Sequence, residues 1–302
     1  MITKEEKKKI IIITGATGSG KSSYAIKLAQ EINGIIINAD SMQIYKHIPI
    51  ITAQPSYEDI HLINHYLYGF LELNDKTYSV GKYIKDLHKT LLLVTKQNPE
   101  KTPIIVGGTM LYVDTIINGL NKIPDIKTDV RESVRAQYQH LTTENIFADL
   151  QKIDNEYSNI VDKNNRQRLL RGIEVKLSTG KSILDFWKEK KHNIFEKDYF
   201  FEKYIVSLER DMLYSRINSR VDAMLKAGLL EEMEKVKYII MEQNIQQNQL
   251  PKAIGLNHLL DYLNGKITLN IAIDLMKKDS RHYAKRQMTW WRNYHFDKVI
   301  AK

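Results

Sequence analysis

Short apolar runs that stop at glycine alternate with helical periodicity through the first 110 residues. Residues 9–14 hold Ile10, Ile11, Ile12 and Ile13 and end at Gly15, which predicts a strand buried on both faces. Residues 22–31 predict a helix whose apolar face is Ala25, Ile26, Leu28 and Ala29. A second buried strand is predicted over 35–37, closing at Asn38-Ala39-Asp40-Ser41. Residues 42–57 contain Pro49 and Pro55 and have no clear period, so they read as a loop. Val80, Tyr83, Ile84, Leu87, Leu91 and Val94 recur at helical spacing behind Ser79, a suitable N-cap. A third buried strand, 104–106, closes at Gly107-Gly108. Apolar strands alternating with amphipathic helices predict an α/β fold with a parallel sheet covered by helices.

The pattern changes near residue 114. Residues 115–200 predict several helices and no strong strand, the clearest helix being 164–177, and so read as an inserted helical subdomain. A strand returns over 204–208, followed by a helix over 212–227 with Gly228 placed to end it. Thr268 is placed to cap a long helix that reaches about Arg292. The predicted organisation is a core of 1–114 and 201–302 interrupted by the insertion 115–200.

Gly15-Ala16-Thr17-Gly18-Ser19-Gly20-Lys21-Ser22 matches G-x-x-x-x-G-K-[ST], between a buried strand and a helix, where such a loop must sit. Its glycines let the backbone wrap a phosphate, and the helix N-terminus favours negative charge. Lys21 supplies a cation to the outer phosphate, and the Ser22 hydroxyl can hold magnesium. The motif establishes phosphate binding but not the reaction. An ATPase of this type carries a carboxylate at a second strand end, whereas 104–106 runs into Gly107-Gly108-Thr109. The acid at a strand end is Asp40, which suits a general base, a magnesium second-shell ligand or a helix cap. From these residues a small-molecule kinase, a nucleic-acid-dependent ATPase and an RNA-binding module all remain open.

Charge adds a partner class. The chain carries 45 Lys+Arg against 36 Asp+Glu, net +9, and the excess is clustered. One cluster holds Lys277, Lys278, Arg281, Lys285, Arg286 and Arg292 against Asp279, and another Lys163, Arg166, Arg168, Arg171, Lys176 and Lys181 against Glu174. Two basic clusters favour a nucleic-acid partner over a solvated helix face. The absence of cysteine excludes disulfides, thiolate chemistry and Cys-ligated metals. No run approaches the ~18 apolar residues of a membrane span, and the N-terminal region resembles neither a secretory signal nor a transit peptide, so a cytoplasmic protein is expected.

Together the motifs resemble the tRNA isopentenyltransferase (IPP transferase) family, the bacterial tRNA dimethylallyltransferases, over about residues 10–293. The blocks are the phosphate loop, Ala39-Asp40-Ser41-Met42-Gln43-Ile44-Tyr45, Ile51-Thr52-Ala53-Gln54-Pro55 and Val106-Gly107-Gly108-Thr109-Met110-Leu111-Tyr112. Asn165-Arg166-Gln167-Arg168-Leu169-Leu170-Arg171, Ala253-Ile254-Gly255 and Tyr283-Ala284-Lys285-Arg286-Gln287-Met288-Thr289-Trp290 follow in order.

The resemblance implies a P-loop NTPase-like core with a helical insertion, and magnesium as cofactor. It implies transfer of a dimethylallyl group from dimethylallyl diphosphate to the exocyclic amine of the adenosine 3′ to the anticodon, in tRNAs reading codons that begin with U. It assigns Asp40 as general base, Lys21 and Thr109 to the reacting centre, and Arg220 to the diphosphate alongside the phosphate loop. It assigns tRNA contact to Asp40, Ser41, Met42, Gln43, Thr109, Arg131, Gln167, Arg168, Leu169, Leu170 and Arg171, and leans toward a monomer. For Arg220 an ion pair with Asp222 or Glu231 is the alternative. Trp290 and Trp291 suit either base stacking or a helix core. The chain departs from the family at Ala16, where proline is usual, and at Leu256 and Asn257, where tyrosine and a basic residue are usual. Without cysteines and ending at Lys302, it corresponds to the bacterial form, which has no zinc finger.

Overall fold

The protein is described here by a computed structural model covering residues 7–301. It divides into two compact units, one of residues up to Ile117 together with those from Ile194, the other Asn118–Asn193.

The larger unit begins with β1 (Lys8–Gly15), α1 (Lys21–Glu31), β2 (Gly34–Asn38), α2 (Pro49–Thr52), α3 (Tyr57–Leu62), β3 (His65–Tyr66), α4 (Val80–Gln97), β4 (Thr102–Val106) and α5 (Met110–Asn118). The smaller unit holds α6 (Thr128–Tyr138), α7 (Thr143–Ile153), α8 (Asn155–Ser158), α9 (Arg166–Thr179) and α10 (Ile183–Lys188). The larger unit resumes with β5 (Tyr199–Ser207), α11 (Arg210–Lys226), α12 (Leu229–Glu242), α13 (Leu256–Leu263), α14 (Leu269–Trp291) and β6 (Lys298–Ala301).

The six strands form one parallel sheet in the order β3-β2-β4-β1-β5-β6. The isoleucine run explains why helices cover both faces. Ile10 and Ile12 pack with Tyr83, Leu87 and Leu91 of α4 and Val113 and Ile116 of α5. Ile11 and Ile13 pack on the other face with Ala25 and Ala29 of α1. Alternate side chains of a strand point to opposite faces, so an unbroken apolar run requires cover on both. A further core joins Val221 and Met224 of α11 to Leu229, Met233 and Val236 of α12, Leu256 and Leu259 of α13 and Ala272 and Met276 of α14.

Residues 42–57, read as a loop, contain α2 and the start of α3. Ser56 and Asp59 form a reciprocal capping box that starts α3. The returning strand starts at Tyr199 rather than 204, and the short edge strands β3 and β6 have no counterpart in the sequence reading. Ser79 and Thr268 cap α4 and α14 through their side chains as expected. Gly228 has φ +94° and sits between α11 and α12, ending one and opening the other.

The smaller unit buries Val134 and Tyr138 of α6, Ile146 and Leu150 of α7, Tyr157 of α8, Leu169 and Ile173 of α9 and Phe186 of α10 around one core. Its two chain ends are tied by reciprocal backbone bonds between Leu120 and His192, 3.1 and 3.0 Å long. Among the described residues no helix is long and apolar enough to cross a membrane.

Candidate active site

Parallel strands bring three loops to one edge of the sheet. β4 lies between β2 and β1, with Val106 beside Asn38 on one side and Ile13 on the other. The loops leaving their C-terminal ends are therefore neighbours: the phosphate loop after β1, Asp40 after β2 and Gly107-Gly108-Thr109 after β4. Ligands of open α/β sheets bind outside these strand ends.

The phosphate loop turns through Gly20, whose φ of +88° places the backbone where side-chain-bearing residues rarely go. Inside the turn Ser19 donates its backbone N–H to Ala16 at 3.1 Å. Its hydroxyl is buried and has no hydrogen-bond partner. Lys21 opens α1 behind the loop. Burial pulls its pKa down to about 8; the nearby Asp40 charge opposes that shift and Arg220 adds to it. The Arg220 guanidinium donates to Thr17 Oγ1 at 3.3 Å. Asp222, its possible ion-pair partner, bonds Lys277 at 2.6 Å instead. Lys21, Arg220 and the carboxylate of Asp40 thus share one electrostatic environment.

Asp40 is fixed by its neighbours. Its N–H donates to Asn38 Oδ1 at 2.7 Å, Asn38 Nδ2 donates back to its carbonyl at 2.9 Å, and Asp40 Oδ1 accepts from Met42 N at 2.9 Å. Thr109 Oγ1 accepts from Ser41 N at 2.8 Å and donates to Ser41 Oγ at 3.1 Å, joining the loops after β2 and β4. Their close approach requires glycine: a Cβ on Gly107 would lie 2.1 Å from the Ala39 backbone. Tyrosines surround this carboxylate. Burial raises the pKa values of Tyr68, Tyr112 and Tyr283, and the Asp40 charge pushes each further, so their hydroxyls stay protonated. Tyr83 stacks on Tyr112 with 3.9 Å between ring centroids and donates to Asn38 O at 2.9 Å.

The arrangement pairs a cationic cradle for phosphate with one carboxylate in a neutral, aromatic setting. Among the described residues no three His, Cys, Asp or Glu side chains group to hold a metal. A magnesium ion here would take most of its ligands from bound phosphate and water, as magnesium commonly does, and the exposed Ser22 hydroxyl at the start of α1 fits that donor set.

The family model described as IPP transferase matches residues 43–294. The chain belongs to this family. Two curated relatives are called tRNA dimethylallyltransferase. One, from Ehrlichia canis, is 41% identical over 94% of this chain and 91% of its own length. The other, from Pelagibacter ubique, is 38% identical over 95% and 90%. A solved tRNA isopentenylpyrophosphate transferase from Bacillus halodurans matches with a TM-score of 0.63 and 33% identity over 98% of this chain and 90% of that one. A eukaryotic dimethylallyltransferase, solved acting on tRNA, matches with a TM-score of 0.76 and 29% identity over 94% and 70%.

In this IPP transferase fold, Gly15 through Ser22, Asp40 through Gln43, Thr109 and Arg220 lie in the larger unit, and Arg131 and Gln167 through Arg171 in the smaller. Within the smaller unit Gln167 and Arg168 are exposed. Arg171 is half-buried and 3.7 Å from Glu174, and burial, with Arg131 adding to it, lowers its pKa. One of the expected RNA contacts is corrected. Leu169 is fully buried in the core of this unit, where it holds α9 in place, whereas Leu170 packs beside that core and stays partly exposed. Arg166, counted in the basic cluster, bonds the carbonyls of Tyr138, Leu141 and Gln139 instead. In the larger unit Gln43 turns its amide inward, Nε2 donating to Thr52 O at 3.0 Å and Ala53 O at 2.6 Å. Trp291 is buried in the core, whereas Trp290 lines a cavity of about 840 Å³ with Met110, Lys285, Arg286 and Tyr294.

Two site residues carried no role in the sequence reading, Tyr283 and Gln287. They lie one turn apart on α14, and both reach Gly108 O, at 3.4 and 2.7 Å. Their block was visible, but a polar residue in a basic helix reads as solvent-facing.

Proposed function

We propose that this chain, acting as a monomer, transfers a dimethylallyl group from dimethylallyl diphosphate to the exocyclic amine of the adenosine 3′ to the anticodon in tRNA. The observation that carries the reading is the desolvated Lys21 cradle facing Asp40, at a site whose β4 end bears Thr109 in place of an ATPase carboxylate. The family and the names of its relatives point the same way.

An allylic diphosphate ends like the tail of a nucleoside triphosphate, so a phosphate loop serves it unchanged. The buried Ser19 hydroxyl would donate to a diphosphate oxygen, and Lys21 and Arg220 would stabilise the charge that grows as the C–O bond breaks. Ser22 would hold a magnesium ion against the diphosphate, and the ion, when bound, neutralises part of the leaving group's charge. The adenine amine is a weak nucleophile because its lone pair is shared with the ring. Asp40 would accept its proton as the new C–N bond forms, and diphosphate leaves. Thr109 would orient the amine beside Asp40. The base must leave the anticodon-loop stack to reach this edge of the sheet, at a cost of a few kcal/mol. Contacts to the tRNA from Ser41, Met42 and Gln43, and from Arg131, Gln167, Arg168 and Arg171, would offset that cost.

The test is incubation with magnesium, radiolabelled dimethylallyl diphosphate and unmodified tRNA carrying the adenosine, with ATP replacing the prenyl donor in a parallel arm. Label in the tRNA with ATP inert is the expected result. Turnover of ATP without labelled tRNA would return the site to the kinase or ATPase readings.

A further inference from the structure

We infer that Gln287 is a positioning residue that fixes the separation between the diphosphate cradle and the Asp40–Thr109 pair. The inference rests on the proposed prenyl transfer.

Gln287 is fully buried in α14. Its Oε1 accepts the Thr17 backbone N–H at 2.8 Å, and its Nε2 donates to Gly108 O at 2.7 Å. One planar amide therefore spans the phosphate loop and the segment that leads into Thr109. The span continues through Thr109 Oγ1 to Ser41 N and so to the Asp40 loop. Two bonds on one rigid amide fix a distance better than two independent side chains, because no rotatable bond lies between donor and acceptor. A neutral group with one donor and one acceptor is also what the site demands. A carboxylate could not donate to Gly108 O and would set negative charge beside the diphosphate.

Gly108 shows the same fit from the other side. A Cβ there would lie 2.5 Å from Gln287 Nε2 and 3.4 Å from Lys21 Nζ. The absence of a side chain lets the amide close over the loop.

A displacement at carbon needs the leaving oxygen and the entering nitrogen on opposite sides of one atom. The cradle holds the first and Asp40 with Thr109 the second, so an error in their separation falls on the reacting carbon. Substrates still bind to each half, and the loss appears in turnover.

The experiment compares Gln287→Met, similar in volume but unable to make either bond, and Gly108→Ala with the wild type. Prenyl transfer is measured at varied dimethylallyl diphosphate and tRNA, and binding of magnesium pyrophosphate by calorimetry. Both variants should lose on the order of 100-fold in kcat, as misplacement of about 1 Å does. KM for each substrate and pyrophosphate affinity should stay within about threefold of wild type. Wild-type kcat in a folded Gln287→Met overturns the inference. So does pyrophosphate affinity falling in parallel with kcat, because the amide would then be building the cradle rather than spacing it. If Gln287→Met fails to fold, Gly108→Ala carries the same split. A wild type that transfers no prenyl group overturns the functional reading and this inference together, whereas an active wild type with active variants overturns only the inference.

Discussion

Arg220 and Thr17 are 203 positions apart in the chain, yet the guanidinium of one donates to the hydroxyl of the other at 3.3 Å. The bond brings α11 to the phosphate loop and adds a second half-buried cation beside Lys21. Burial lowers the Arg220 pKa, and the Asp40 charge opposes the shift. A cation held there without a carboxylate in direct contact is costly until an anion arrives.

Arg220→Met should therefore weaken pyrophosphate binding by about 10- to 100-fold, the worth of one charge-assisted hydrogen bond. Affinity for tRNA alone should be unchanged. Calorimetry with each ligand separately checks both halves.

Lys21 has a consequence for stability as well as for binding. Its folded pKa, about 8, lies below the ordinary lysine value of 10.5. Between those values the unfolded chain binds more protons, so this site adds stability as pH rises through the window and subtracts it below. Lys21→Met should raise the melting temperature of the ligand-free protein near pH 7 while abolishing pyrophosphate binding. In the wild type, pyrophosphate affinity should fall as pH climbs past about 8 and Lys21 loses its charge. Thermal melts and calorimetry at pH 7 and 9 read both effects, and a melting temperature that drops in Lys21→Met would contradict the desolvation argument.

Asp40 makes two separable contributions. One carboxylate oxygen accepts from Met42 N at 2.9 Å and holds the turn. The charge serves the reaction. Asp40→Asn keeps an acceptor for the turn and removes the base, so kcat should fall about 10²- to 10⁴-fold, while tRNA binding, measured by filter retention, stays near the wild-type level. Equal loss of binding would mean that Asp40 acts through the tRNA contact and not as base.

What was legible in the sequence was local. The isoleucine runs placed β1, β2 and β4, and the glycine-lysine loop placed the cradle, because burial and backbone geometry each leave a mark on adjacent residues. Strands β3 and β6 left none: one is two residues long, and the other has mostly exposed side chains. Leu169 is assigned to RNA only through the resemblance, as one of a run of matching positions, whereas its place on α9 turns it into the core. Gln287 and Tyr283 needed α14 to pass over the phosphate loop, a relationship spanning 270 positions for Thr17 and Gln287. The helix α2 escaped for the same reason, since its stabilising group lies on α12.

That group is Glu232. It is buried, and its two oxygens accept from the N–H groups of Ile50 at 2.6 Å and Ile51 at 2.9 Å, in the first turn of α2. Burial raises its pKa against the opposing effect of those two bonds. At the other end of α2 the carbonyls of Thr52 and Ala53 receive Gln43, three residues after Asp40. A chain of contacts thus runs from α12 through α2 to the loop assigned to tRNA. Glu232→Ala leaves two N–H groups without their partner and should cost about 1–3 kcal/mol of stability. Slackening α2 removes the anchor that Gln43 gives the loop after Asp40, so tRNA affinity should also fall, while pyrophosphate, held by the separate phosphate loop, should bind as before. Denaturant melts with paired tRNA and pyrophosphate titrations separate these effects. Equal weakening of both ligands would show that Glu232 supports the whole sheet edge and not the Asp40 loop in particular.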